Sequence, residues 1–224
     1  CLQSNSIAKS KFLLIPRESG VHAGEAPRIL NAPDGFVFHH VNAFEENEEI
    51  ILESIYYRDF PSIDPNENFR KINFENLPEG ILKRCNINLA NNKVITKTIS
   101  DQCCEFGMVN PKCLGIKARY AWMAAAASKT GNGPLQVLKQ IDFSNGHETF
   151  WYEAPSTFVS EPLMVPKDGE NSEDNGYILC VIWNGEKKSS ELIILDASNL
   201  ESKAVIELPI IIPHGLHGSW AANQ

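Results

Sequence analysis

The stretch Phe36-Val37-Phe38-His39-His40-Val41-Asn42-Ala43-Phe44-Glu45-Glu46 sets the reading of the whole chain. It follows the turn dipeptide Asp34-Gly35 and opens on three large apolar residues, so it reads as a strand. Neighbouring side chains on a strand point to opposite faces, which sends His39 one way and His40 the other. An imidazole on so apolar a strand needs a partner, because burying a polar group unpaired costs about 2 kcal/mol or more. Two readings follow for such a histidine: a hydrogen-bonded core residue, or a metal ligand.

Working outward, the same strand signal recurs. Residues 12–16 (Phe-Leu-Leu-Ile-Pro) read as a strand stopped by Pro16-Arg17-Glu18-Ser19-Gly20, and Glu49 to Tyr57 as the strand after the histidine segment. Residues 58–80 are polar and rich in Pro and Asn, a long surface loop of the kind that borders sites, with one short helical turn expected between Asn66 and Leu82. Ile87-Asn88-Leu89 and Val94-Ile95-Thr96 flank a turn at 90–93. Ala118 to Ala127 starts as a strand; its alanines suit a helix, but Gly131-Asn132-Gly133-Pro134 stops the run too soon. Two more hairpins pair Leu135–Ile141 with Thr149–Tyr152 around Ser144-Asn145-Gly146, and Gly176–Trp183 with Glu191–Asp196 around Asn184-Gly185. Ala204–Leu208 closes the series before Pro209. About ten short strands joined by turn chemistry, with no helix of normal length, predict an all-β sandwich, barrel or propeller. No clean short repeat selects the propeller on periodicity alone.

The totals narrow the function. At 224 residues and 43% hydrophobic, the chain can bury a large core. Twenty Lys and Arg against 28 Asp and Glu leave a net charge of −8, which argues against a nucleic-acid partner, since that needs a basic face. No apolar run approaches the roughly 20 residues that span a bilayer, and Phe12-Leu13-Leu14-Ile15 is too short for a signal-peptide core. Six cysteines (Cys1, Cys85, Cys103, Cys104, Cys113, Cys180) show no paired framework and no C-x-x-C, so reduced intracellular thiols are expected. The chain begins at Cys1 rather than Met, and it is expected to be a piece of something longer.

A second histidine segment lies near the other end: Ile212-Pro213-His214-Gly215-Leu216-His217-Gly218-Ser219-Trp220. Gly215 and Gly218 bracket His217, so a turn presents this imidazole rather than an apolar face. His39 and His217 are too far apart in sequence for a zinc finger or an H-E-x-x-H helix. Such spacing suits a closed β-fold whose strands each send a side chain to a shared axis. Two glutamates sit among apolar neighbours, Glu105 in Cys103-Cys104-Glu105-Phe106-Gly107 and Glu161 in Val159-Ser160-Glu161-Pro162-Leu163. Each is either a buried ion pair or backbone contact, or a carboxylate accepting the far ring N–H of a metal-bound histidine.

Six segments together resemble the carotenoid cleavage oxygenase family, in its order and at its spacing. They are Phe38-His39-His40-Val41-Asn42-Ala43-Phe44-Glu45, Cys103-Cys104-Glu105-Phe106, Thr130-Gly131-Asn132-Gly133-Pro134-Leu135-Gln136, Ser160-Glu161-Pro162, Glu173-Asp174-Asn175-Gly176 and Ile212 to Trp220. The third and last are similar to the apocarotenoid-15,15'-oxygenase branch. The resemblance implies the C-terminal blades of a seven-bladed β-propeller, with residues 1–224 forming the C-terminal part of a single domain whose N-terminal part is absent. It implies Fe(II) held by four histidines, of which His39 matches the third and His217 the fourth. Glu105 and Glu161 match two of three glutamates behind those histidines; the remaining ligands and glutamate lie upstream in the family. His22 and His147 lack the surrounding pattern, His40 is expected to pack on the other side of its strand, and His214 stands where relatives often carry Tyr or Pro. Gly107 stands where many relatives have Pro.

The implied activity is dioxygenase cleavage of a conjugated C=C bond of a carotenoid or apocarotenoid to carbonyl products, retinal-like for an apocarotenal. Another polyene or a stilbene is the alternative substrate, and an inactive carotenoid-binding propeller fragment the alternative without catalysis. The implied partners are the polyene and dioxygen, with peripheral membrane contact in the full-length protein and a cytoplasmic or plastid location. Phe38, Phe44, Trp122, Phe158 and Trp220 are candidates for a tunnel wall, each weighed against ordinary core packing. With two of four ligands, the chain alone is expected to bind iron weakly and to be inactive.

Overall fold

The computed structural model describes residues 9–20, 22–62, 66, 68, 71–128, 131–153, 155–169, 172–215 and 217–221. Cys1, Thr130 and Leu216 of the sequence argument lie outside the described residues. A short hairpin pairs β1 (Lys11–Leu14) with β2 (Arg28–Asn31). Three larger antiparallel sheets follow. The first is β3 (Phe36–Glu46), β4 (Glu49–Tyr57), β5 (Ile81–Asn88) and β6 (Val94–Ser100), in chain order. The second is β7 (Cys104–Met108), β8 (Tyr120–Ala126), β9 (Leu135–Asp142) and β10 (His147–Trp151), also in chain order. In the third, β11 (Thr157–Val159) and β12 (Leu163–Pro166) both pair with β13 (Gly176–Asn184), followed by β14 (Ser189–Asp196) and β15 (Ser202–Glu207). Serial antiparallel meanders stacked on one another, here two of four strands and one of five, are blades of a β-propeller, and the first strands β3 and β7 lie in contact.

The blades are joined by two apolar seams. Val41, Ile55, Tyr57 and Leu82 of the first pack on Cys104, Ala121, Met123, Ala125 and Val137 of the second. Trp122, Ala124 and Leu138 of the second pack on Val159, Met164, Ile178 and Ile193 of the third. The alanine run is thereby explained. Strand β8 sends Ala121, Met123 and Ala125 to one seam and Trp122 and Ala124 to the other, so both faces are buried and no polar alternation is written into it. Small side chains let neighbouring sheets approach closely there. The Trp122 indole N–H, otherwise stranded in the core, donates to the Ala197 carbonyl at 2.9 Å.

The expected strands are present, with β5 beginning six residues before Ile87. Four short strands went unread: β2, β7, β11 and β12, of three to five residues each. They are too short to show a period, and β7 is broken by a bulge between Glu105 and Met108. The helical turn of the long loop is a single 3-10 turn at Phe74–Asn76, capped by Asn73 accepting the Glu75 amide at 3.0 Å. A second such turn spans Pro111–Cys113.

Several motif residues hold this scaffold together. Asn42 is buried, donates to the Cys113 and Ile116 carbonyls and accepts the Gly115 amide at 3.1 Å, pinning β3 to the loop after β7. The Gly131 and Asn132 pair ties the loop before β9 to the 74–79 region: the Gly131 amide donates to Glu79 at 2.5 Å and the Asn132 amide to the Phe74 carbonyl at 3.1 Å. Gly131 has φ +84°, and a Cβ there would stand 3.1 Å from the Glu75 backbone. The Glu173 carboxylate accepts the Arg119 and Tyr120 amides at 2.7–2.9 Å, locking the start of β8. Beside it, the Arg119 guanidinium holds the Asp142 carboxyl well below the usual carboxylate range. Cys85, Cys103, Cys104, Cys113 and Cys180 are free thiols. Burial pushes Cys104 and Cys180 up to about 12, so these two are packing residues rather than nucleophiles.

Candidate metal centre

Strand β3 is irregular where the histidines sit: its register against β4 shifts between Val37 and His40 and again between His40 and Asn42. Bulges re-aim side chains, and the two imidazoles indeed part. His40 turns to β4, its Nδ1 2.7 Å from the Ser54 hydroxyl. Its partial burial lowers its pKa below the usual histidine value, and the neighbouring His39 adds to this. His39 turns to β7, its Nδ1 donating to Glu105 Oε2 at 2.5 Å.

Glu105 accepts at both of its oxygens. The Tyr57 hydroxyl donates to its Oε1 at 2.9 Å, and the Phe106 amide donates to its Oε2 at 2.7 Å. With those donors already present, the proton of the His39 contact belongs on Nδ1, which leaves the lone pair on Nε2. His217, from the turn near the chain's end, repeats the arrangement. Its Nδ1 lies 3.3 Å from Glu161 Oε1, and the Gly218 amide donates to Glu161 Oε2 at 2.8 Å.

The two outward-facing nitrogens meet: His39 Nε2 and His217 Nε2 are 3.3 Å apart, across 178 positions of sequence. Two neutral imidazoles in these tautomers present lone pair to lone pair, an arrangement that repels unless a cation or a proton lies between. All four residues singled out in the sequence, His39, His217, Glu105 and Glu161, are thus brought to one place. Among the described residues no cluster of three or more His, Cys, Asp or Glu side chains forms a metal cage, so this centre contributes two nitrogens.

Sequence reasoning missed two members. Phe106 packs against both imidazoles, with ring centroids 5.2 Å from His39 and 5.8 Å from His217. It does so from a left-handed backbone, φ +57°, at the β7 bulge, a conformation that costs a phenylalanine of order 1–3 kcal/mol and clusters at functional sites. Next to it, a Cβ on Gly107 would stand 2.6 Å from Val41 Cγ2, so the bulge accepts glycine there. Tyr57 is the other missed member; its place beside Tyr56 carried no signal beyond strand alternation.

Of the tunnel candidates, Phe44 and Trp122 are core residues, 5% and 1% exposed. Phe38 is 46% exposed and stands next to His39, within an aromatic group that includes Phe36, Tyr57 and Phe60. Trp220 is exposed and, with Glu161, Leu163, Leu192 and Ile212, lines a cavity of about 360 Å³ beside His217. Phe158 is met edge-on by His214, ring centroids 5.4 Å apart. A larger cleft of about 490 Å³ around His22, Arg28 and Glu46 lies at the far end of β3 from His39. His22 there is bound to Glu25 at 2.8 Å. Among the described residues no helix is long and apolar enough to cross a membrane.

The comparisons with known proteins agree with this geometry. A family model described as retinal pigment epithelial membrane protein matches residues 1–222. An apocarotenoid-15,15'-oxygenase of Synechocystis sp. is 42% identical over 223 residues, 99% of this chain and 44% of that protein. A carotenoid cleavage oxygenase of Mycobacterium tuberculosis is 28% identical over 216 residues, 93% of this chain and 41% of that protein. The crystal structure of a cobalt-substituted Synechocystis apocarotenoid oxygenase superposes with a TM-score of 0.92 at 40% identity, covering 100% of this chain and 46% of that one. The chain therefore spans under half the length of the relatives it matches. On the match of its sequence, its sheets and its order of motifs, this chain belongs to the retinal pigment epithelial membrane protein family, the family of the carotenoid cleavage oxygenases.

Proposed function

We propose that the full-length protein carrying this chain is a non-haem Fe(II) dioxygenase. It cleaves a conjugated C=C bond of an apocarotenoid or carotenoid, giving retinal-type aldehydes from an apocarotenal. The chain is then the C-terminal part of one propeller domain. The observation that carries the reading is the convergence of His39 Nε2 and His217 Nε2 at 3.3 Å, each ring backed by a carboxylate. With imidazole–metal bonds of about 2.1 Å, adjacent nitrogens lie about 3.0 Å apart at a right angle and about 3.4 Å apart at the tetrahedral angle. The spacing here falls between, so the pair fits a shared metal ion. Imidazole suits ferrous iron, and the cobalt-substituted Synechocystis structure shows that that relative takes a metal.

Bound Fe(II) would supply the dioxygen chemistry. The chain's own residues would do the rest. His39 and His217 would hold the ion as neutral ligands. Glu105 and Glu161 would keep each ring in the Nδ1–H tautomer and raise its basicity. Phe106 would fix the angle between the rings and keep water from their faces. Phe38 and Trp220 present apolar surface on the two flanks of the pair, suited to an apolar polyene.

The test is incubation of the iron-loaded full-length protein with a series of apocarotenals under oxygen, with the aldehydes identified by mass spectrometry. Cleavage of an apocarotenal to two aldehydes supports the proposal; a fully iron-loaded protein that leaves every polyene intact overturns it. Stilbenes belong in the same panel, since a lignostilbene dioxygenase is 27% identical, but the 42% match favours the apocarotenoid. The 224 residues alone, carrying two ligands, are expected to retain less than stoichiometric iron after dialysis. Tight one-to-one iron in metal analysis would refute that expectation.

A further inference from the structure

The groups behind His39 are not symmetric with those behind His217, and the difference is Tyr57. This residue ends β4, is 4% exposed, and places its hydroxyl 2.9 Å from Glu105 Oε1. The other oxygen of Glu105 already takes His39 Nδ1 and the Phe106 amide. The carboxylate is thus gripped at both oxygens and cannot turn without breaking a bond. For His217, the Glu161 carboxylate accepts a backbone amide, that of Gly218, and its histidine contact is looser, 3.3 Å against 2.5 Å.

The surroundings of the phenol are built around it. A Cβ on Gly80 would stand 2.7 Å from the Tyr57 oxygen and 2.6 Å from the Cys104 carbonyl, so glycine is what leaves the hydroxyl its place. The Gly80 carbonyl in turn accepts the Cys104 amide at 2.9 Å, which fixes β7 directly before Glu105. On its other side the Tyr57 ring meets exposed Phe38 edge-on, with centroids 5.3 Å apart. Burial, and after it the charge of Glu105, push the phenol far above its usual range, so it stays a donor at working pH.

We infer that Tyr57 is a positioning residue for the metal centre: its hydroxyl locks the Glu105 carboxylate, which in turn holds His39 with Nε2 aimed at the metal. The inference rests on His39 being a ligand and adds a third tier behind it. A carboxylate that holds a metal-bound histidine is worth about 10–100-fold in affinity when removed, and Tyr57, acting through that carboxylate, is expected to give at most the lower end of that range. Because Tyr57 acts through Glu105, the two act as one unit and their substitutions do not add.

The experiment uses the full-length protein, apo, titrated with Co(II) and Fe(II). Tyr57→Phe removes one oxygen and keeps the ring. It is expected to weaken metal binding by up to about tenfold, less than Glu105→Gln does, and to shift the Co(II) ligand-field absorption. Adding it to Glu105→Gln is expected to change neither quantity further. Tyr56→Phe is the control, since that hydroxyl meets the Cys85 thiol at 3.6 Å, and it should leave affinity and spectrum unchanged. As a second probe that preserves the fold, 3-fluorotyrosine placed at position 57 makes a stronger donor and should move the absorption band the opposite way from Tyr57→Phe. Wild-type affinity and an unmoved band in Tyr57→Phe, with His39→Ala and Glu105→Gln both weakened, overturn the inference alone. Unchanged metal binding in His39→Ala overturns the ligand reading beneath it.

Discussion

Replacing His39 with alanine in the full-length protein is expected to abolish polyene cleavage, by a factor of about a thousand or more, equivalent to about 4 kcal/mol of transition-state stabilisation. It is also expected to remove most of the bound iron. The reason is geometric. His39 Nε2 is one of two nitrogens that this chain aims at a common point, and Glu105 holds its Nδ1 at 2.5 Å, which leaves the Nε2 lone pair for a metal. His40→Ala is the matched comparison: the same strand and the same chemistry, but a ring turned to Ser54. It should keep its iron and lose no more than a few-fold in rate. Turnover with apocarotenal, measured beside iron by elemental analysis, separates the two. Wild-type iron and turnover in His39→Ala would end the assignment of the centre.

The second large effect is on stability. Glu53 in β4 is fully buried in a blade-facing position, opposite Asn42 and Arg84 across the sheet. Its carboxylate is paired with the Arg84 guanidinium through both Nε, at 3.0 Å, and Nη2. Arg84→Met strands that charge. Breaking a buried pair from one side costs about 3–5 kcal/mol, and the partial exposure of Arg84 places the expected loss near the lower figure, about 3 kcal/mol. Glu53→Gln added to Arg84→Met should restore most of it, because the uncompensated charge is gone. Urea denaturation of the three proteins measures this; a double variant as unstable as Arg84→Met would show that lost packing, not stranded charge, is the cause.

The pH dependence has a definite sign. Burial raises the Glu53 pKa above its ordinary value, against the opposing pull of Arg84. The folded state therefore holds this proton more tightly than the unfolded state. Its contribution to stability is full below the ordinary glutamate pKa and is lost as pH rises through the raised one. Arg84→Met removes the opposing pull and raises the pKa further, so its deficit should be small in mild acid and grow toward neutral pH.

Much of this was legible in the chain as written. The turn dipeptides Asn184-Gly185 and Asn145-Gly146 and the apolar runs beside them mark hairpins that are present at those places. His217 between two glycines, and Glu105 and Glu161 among apolar neighbours, are chemically odd enough to stand out locally. Other residues gave no such sign. Phe106 looks like any core aromatic, yet a left-handed backbone at a bulge packs its ring against two histidines. Tyr57 looks like the twin of Tyr56, yet one phenol meets a thiol and the other a carboxylate that holds a histidine. The alanines of β8 match helix and strand equally, and packing on both faces chose the strand.

Alternation and turn chemistry are properties of a few neighbouring residues, so the amino-acid order alone carries the all-β class, the hairpins and the list of residues able to bind a metal. Which of those residues meet is a property of how whole sheets stack. The 3.3 Å between His39 and His217, and the hydroxyl of Tyr57 reaching Glu105, arise because the apolar seams stack the sheets, setting β3 and β4 against β7, while Glu161 ties the segment after β15 beside them. No local pattern encodes a distance spanned by 178 residues of intervening chain; the burial of the seams sets it.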